Sequence, residues 1–170
     1  MSSDSHKHIL EGLDKWIELL NNPASSQRNR IAYLQEKRDR IMDNPDAISS
    51  LNDGNIWGGM GSFLDCVALD PFYYRPTASI QSERDEHWQK VHRRCDEWQR
   101  QFNEATIQLA SALIEWSSLH GGLSDIQKQI IGEWIQAAKR YNEHPLQPLE
   151  RKSIETLEWN LKFFDSQSGK

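Results

Sequence analysis

Residues 82–120 read SERDEHWQKVHRRCDEWQRQFNEATIQLASALIEWSSLH, and the spacing of their apolar side chains decides the fold. Trp88, Val91, Cys95, Trp98, Phe102, Ala105, Leu109, Ala112, Trp116 and Leu119 recur at alternating steps of three and four. Such spacing returns an apolar side chain to the same face at each turn of an α-helix. The seam is sustained for more than four heptads, so it predicts one long helix. Ser82, with Asp85 or Glu86 a turn later, is a candidate N-cap, and Gly121-Gly122 is the stop. At ~1.5 Å per residue the helix runs roughly 55–60 Å. The seam mixes Trp and Phe with Cys and Ala instead of repeating Leu and Ile, which suits packing against several shorter helices of the same chain. A homodimeric coiled coil is the alternative, leaving monomer and homodimer both open.

Outward from this rod, the same periodicity predicts shorter helices. Ile9, Leu10, Leu13, Trp16, Ile17 and Leu20 mark one face over residues 5–21, which Asn22-Pro23 ends. Ile31, Leu34 and Ile41 lie on a charged helix from Gln27 to Asp43, stopped by Asn44-Pro45. Ser62 opens a short helix over Phe63–Leu69, and Ser124 with Gln127 fits a capping box. Beyond that box, Ile126, Ile130, Ile131, Trp134, Ile135 and Ala138 form an apolar face reaching Tyr141. After Pro145 and Pro148 come Ile154, Leu157, Leu161 and Phe164, the face of a last helix. No alternating run supports a sheet. The chain reads as all-α: a single-domain helical bundle over residues 1–170, with five main helices around one long central helix, one short helix, and flexible tails at 1–4 and 166–170.

Composition bounds the function. Twenty basic against twenty-five acidic side chains give a formal net charge of −5, a field that disfavours nucleic acid. Seven tryptophans, five phenylalanines and four tyrosines in 170 residues supply apolar area enough for a folded core. No segment approaches the roughly twenty apolar residues of a membrane span, and the N-terminus lacks a basic region followed by an apolar run. A cytoplasmic protein is expected, with Cys66 and Cys95 as reduced, buried thiols.

Three of the nine glycines crowd the segment Trp57-Gly58-Gly59-Met60-Gly61-Ser62-Phe63-Leu64-Asp65. Glycine costs roughly 0.5–1 kcal/mol relative to alanine inside a regular element, so this cluster predicts positive φ or close backbone contact. A tight connection between helices is the structural reading. Phosphate cradling is the alternative, but neither phosphate-binding glycine spacing is present and no Lys or Arg lies between Asn55 and Asp70. Asp65 falls in the first turn after Ser62, where a helix dipole stabilises a carboxylate by about 0.3–1 kcal/mol.

At Gly58-Gly59-Met60-Gly61-Ser62, followed two residues later by Asp65, the chain resembles an uncharacterised bacterial helical domain family, a domain of unknown function. The match covers roughly residues 56–69. The family places Asn before the aspartate, where this chain has Leu64. The resemblance implies a compact helical domain, sometimes suspected of toxin-neutralising roles, with no activity to carry over.

Catalytic patterns are thin. His87 and His92 lie about 140° apart on a helix, so they and Cys95 do not converge on one metal. No CxxC pair or HExxH motif is present, and neither metal nor cofactor is expected. Glu83, Glu86, Asp96 and Glu97 resemble the magnesium-holding helices of all-α nucleotide pyrophosphohydrolases at a distance. Their interleaving with Arg84, Lys90, Arg93, Arg94 and Arg100 suits a solvated face better. Two function classes follow. In the first, the loop Phe72-Tyr73-Tyr74-Arg75 presents aromatic and cationic side chains to a partner protein, as an acidic immunity-type protein would to a basic toxin or effector. Phe72 and Tyr73 are also suited to plugging the core, which leaves Tyr74 and Arg75 as the surface pair. In the second, the glycine turn with Ser62 and Asp65 lines a pocket for a small ligand or for hydrolysis.

Overall fold

A computed structural model describes residues 2–169 and is all-α. Its main helices are α1 (Ser2–Leu20), α2 (Ile31–Asp43), α5 (Gln81–His120), α6 (Asp125–Glu143) and α7 (Arg151–Ser168). Two single-turn helices, α3 (Gly54–Trp57) and α4 (Phe63–Cys66), and 3-10 segments at Arg28–Arg30, Pro45–Leu51 and Pro71–Tyr74 join them. The outer helices begin at Ser2 and end at Ser168, while Met1 and Lys170, within the expected tails, lie outside the described residues. Ser25 and Leu69 form an isolated antiparallel bridge.

The predicted rod is unbroken for 40 residues, about 60 Å at helical rise. Its stop is as expected: Gly121 and Gly122 sit at φ +79° and +96°, a left-handed region that favours glycine. Its start is not. Ser82 lies inside the helix, which follows Ile80 without a side-chain cap, and Gln81 Nε2 donates to Asp85 Oδ1 at 2.7 Å. Eight seam residues are buried and Cys95 is half-buried. Leu119, in the last turn, is 61 % exposed instead.

The seam packs within the chain. Helix α1 runs antiparallel to the C-terminal half of α5, where the Trp16 indole N–H donates to Thr106 Oγ1 at 3.0 Å and that of Trp98 to the Leu19 carbonyl at 3.1 Å. Trp16 stacks on Phe102 at 5.5 Å, Phe102 on Trp98 at 5.3 Å, and Phe63 of α4 meets both Trp16 and Phe102 edge-on. Helix α2 lies along α1, clipped by Arg38 to Asp14 at 2.8 Å. Helix α6 returns along α5 from the Gly121-Gly122 turn, opened by the predicted Ser124/Gln127 capping box. The Pro145–Pro148 segment ends it, and α7 then covers the N-terminal half of α5. There Trp88, Val91, Ile154 and Leu161 make a small core separate from the main one.

Several faces turn differently from their patterns. Ile131, Ile135 and Ala138 carry α6 onto α5, leaving Ile126 71 % and Ile130 38 % exposed. Cys66 is exposed and Cys95 half-buried, both free; burial pushes the Cys95 thiol up. Asp96, read as part of a solvated face, is buried. Its Oδ2 accepts from Arg100 Nε at 2.6 Å and its Oδ1 from Tyr141 OH at 3.0 Å. Partial burial, reinforced by the bond to Asp96, pushes the Tyr141 phenol up to about 12. The Arg100 guanidinium also donates to the Asn142 and His144 carbonyls at 2.7 and 2.6 Å, satisfying the last carbonyls of α6 with a cation. A buried carboxylate therefore serves here to fasten the end of α6 to the middle of α5.

Candidate functional site

The glycine segment resolves into two linked caps. Asp53 caps α3 through the Asn55 N–H, and the Trp57 indole N–H donates to the Leu51 carbonyl at 2.8 Å while the Trp57 carbonyl accepts from Trp134 Nε1 at 2.9 Å. A Cβ on Gly58 would meet the Gly54 carbonyl oxygen at 2.3 Å, so close contact demands glycine there. Gly61 sits at φ +85°. Ser62 caps α4 as expected, its hydroxyl donating to the Gly58 carbonyl at 2.5 Å and accepting from the Asp65 N–H at 3.4 Å. Asp65 Oδ2 accepts the Gly61 N–H at 2.9 Å. The Ser62 hydroxyl and the Asp65 carboxylate are thus spent on closing their own loop. Gly59 does not have a positive φ, and a Cβ added to it would meet nothing within 4 Å; Met60 beside it is fully exposed. Gly61→Ala is expected to cost about 1–2 kcal/mol for its left-handed backbone, whereas Gly59→Ala should leave stability within about 1 kcal/mol. Denaturant melts that rank the two in the opposite order would refute this geometry.

Two recesses border the motif. Trp57 and Gly58, with Asp53, Gln127, Ile130 and Ile131, line one of about 220 Å³. Asp53 there accepts from Tyr33 OH and lies 3.5 Å from Lys37 Nζ. Burial raises its carboxyl, but these two partners and the Asn55 N–H outweigh it and hold the carboxyl below its usual range. A second recess, about 170 Å³, lies between α4, α5 and α6 and is walled by Leu64, Val67, Phe102 and Trp134, with Gln99, Asn103, Thr106 and Tyr141. Asp65 is exposed and lines neither. Among the described residues, no three His, Cys, Asp or Glu side chains are grouped to hold a metal.

The aromatic loop is a 3-10 turn capped by Asp70, whose carboxylate accepts the Phe72 N–H at 2.9 Å. Its two tyrosines exchange roles relative to expectation, while Phe72 turns inward and Arg75 outward as expected. Tyr74, expected at the surface, is half-buried: its hydroxyl donates to Asn22 Oδ1 at 3.2 Å, Arg94 stacks on its ring at 4.6 Å, and its carbonyl accepts from His87 Nε2. Tyr73, expected in the core, is 55 % exposed. Phe72 is half-buried between Trp88 and Phe164. Arg75 is exposed and pairs with Asp165 of α7 at 2.7 Å.

That pairing brings the loop to a surface that the sequence patterns did not single out. Along α7, Phe164 is 49 %, Phe163 47 % and Trp159 65 % exposed. Trp159 stacks on Phe163 at 5.7 Å, Phe163 meets Phe164 at 6.1 Å, and Phe164 meets Phe72 at 5.5 Å. Four aromatic rings therefore run in contact across two elements, while Tyr73, on the same turn as Phe72, packs edge-on against Tyr74 at 5.2 Å. The signal was present in the sequence. Trp159 and Phe163 lie off the Ile154–Leu157–Leu161 face, so one buried stripe has no place for them. Helix α7 is held from beneath by a bidentate pair, Arg84 to Glu158 at 3.0 and 2.8 Å, and by the Trp88 indole N–H to Glu158 at 2.7 Å. Arg84 holds the Glu158 carboxyl below the usual range against the opposing effect of burial. No helix among the described residues is long and apolar enough to cross a membrane.

Comparison with protein families, curated proteins and solved structures returns no match to this chain.

Proposed function

We propose that the chain is a protein-binding module whose contact surface is the aromatic strip Phe72, Phe164, Phe163 and Trp159 with the exposed Tyr73 of the same loop, and that it acts in the cytoplasm as an immunity-type protein blocking a partner such as a basic toxin or effector. One observation carries the binding reading. Soluble chains rarely leave large aromatic rings contiguous and half exposed, because each exposed ring forgoes transfer free energy; such patches mark surfaces that are covered in a complex. Tyr and Trp are also the residues that most often dominate binding energy. The rest of the proposal is supported by the net charge of −5, which would speed encounter with a basic partner, and by the resemblance at the glycine motif.

The test is cross-linked capture from native host cells, with wild type against Trp159→Ser/Tyr73→Ser. Both side chains are mostly exposed, so the variant should melt within about 0.5 kcal/mol of wild type and lose a specific protein that wild type retains. Equal recovery of that protein would overturn the surface. A captured partner whose association rate is indifferent to salt would remove the basic-toxin form of the proposal.

A further inference from the structure

We propose that a second copy of this chain docks on the outward stripe of α7, the two helices antiparallel with Trp159 beside the two-fold axis. This rests on the reading of that stripe as a protein-binding face, on which a second copy would compete with the partner proposed above. Ile154 and Leu161 bury one side of α7 while Trp159 and Phe163 project from the other, their rings stacked at an interplanar angle of 11°. The helix is thus apolar on both sides and covered on one.

The charges beside this stripe are self-complementary. Glu155 lies four residues before Trp159 and Lys162 three residues after it. Being seven residues apart, they share one edge of the stripe, offset by about 20° around the helix axis. In an isologous contact residue i of one copy meets residue j of the other, and j meets i. In an antiparallel helix pair centred near Trp159, Glu155 of one copy therefore faces Lys162 of the other, twice over. Within one copy Lys162 makes no ion pair within 4 Å among the described residues, its charge acting at longer range on Glu158 one turn before it, and Glu155 has only an exposed pair with Arg151 at 3.0 Å. A pair of that kind contributes little and is readily exchanged. With ~150–250 Å² per aromatic ring, the exposed parts of Trp159 and Phe163 offer on the order of 250 Å² per copy, about a third of the ~800 Å² per partner of a stable complex. The dimer is accordingly weak and concentration-dependent.

Sedimentation velocity on the full chain from low-micromolar to near-millimolar concentration tests this. Wild type should shift from monomer to dimer across the range. Glu155→Lys and Lys162→Glu should each weaken association at least about fivefold, and the double charge swap should restore it, as a reciprocal ion pair requires. Trp159→Ser should abolish it. A wild type that stays monomeric, a charge swap that does not restore dimers, or association that survives Trp159→Ser each overturns the proposal. If wild type stays monomeric while Trp159→Ser/Tyr73→Ser still loses its captured protein, self-association fails and the binding face stands.

Discussion

Trp16→Ala should cost about 3–5 kcal/mol, the range for deleting a buried aromatic side chain, and lower the melting temperature by about 10 °C or more for a domain of this size. Trp16 is 0 % exposed, and it stacks on Phe102, meets Phe63 edge-on and tilts against Trp57 at 5.9 Å. Its removal opens a cavity where α1, α3, α4 and α5 meet, and it orphans Thr106 Oγ1 as a hydrogen-bond acceptor, though that hydroxyl still donates to the Phe102 carbonyl at 2.8 Å. Trp159→Ala, at 65 % exposure, is the internal control and should cost under about 1 kcal/mol. Chemical denaturation of both variants distinguishes them. Comparable losses would mean that the outer ring of α7 is packed, and would withdraw the proposed surface along with it.

The second large effect is local. Glu158→Ala should release α7 while leaving the main core folded. Glu158 accepts from both Arg84 and the Trp88 indole N–H, and its side chain is 13 % exposed against 20 % for Arg84. Removing it deprives a largely covered guanidinium of its counter-charge and leaves it only the Ala78 carbonyl, 2.7 Å from Nη1. Deleting one member of a fully buried pair costs about 3–5 kcal/mol; the partial exposure here brings the expectation down to about 2 kcal/mol. Because the cluster beneath α7 is small and separate from the main core, that loss falls on α7 docking. Amide exchange in α7 should accelerate by roughly tenfold or more, with α1 and the C-terminal half of α5 unchanged. Uniform acceleration would show that the two cores unfold as one.

Acid should act in the same direction. The folded-state pKa of Glu158 is lowered, chiefly by the Arg84 hydrogen bond. Its contribution is therefore complete above the ordinary glutamate value of about 4.3 and disappears as pH falls through the lower folded value. Exchange in α7 of wild type should approach that of the variant only at that acid end.

The sequence was most legible where structure is encoded within a few residues. Three-four spacing of Trp88 to Trp116, Gly121-Gly122 at positive φ, the Ser124/Gln127 box and the Ser62 cap all depend on neighbours within about a turn, and all are found. Gly12 was illegible. A Cβ there would lie 2.6 Å from Leu109 Cβ, a constraint set by a helix that arrives nearly a hundred residues later. Asp96 was misread for a similar reason: only the arrival of α6, with Tyr141 and the Asn142 and His144 carbonyls, buries it. Tyr73 and Tyr74 are adjacent and chemically alike, so nothing local decides which ring turns inward; Asn22 and Arg94 decide it.

By itself, then, the sequence determined that this chain is built of helices around one rod, because backbone dihedrals, caps and periodicity are short-range properties. Tertiary structure decided which apolar side chains were left uncovered. Helix α7 carries apolar residues on opposite sides, and its pattern alone does not distinguish the Ile154–Leu161 face from the Trp159–Phe163 face. Contact with Trp88 and Val91 of α5 makes that choice, since burying either face of a helix depends on what another part of the chain brings against it.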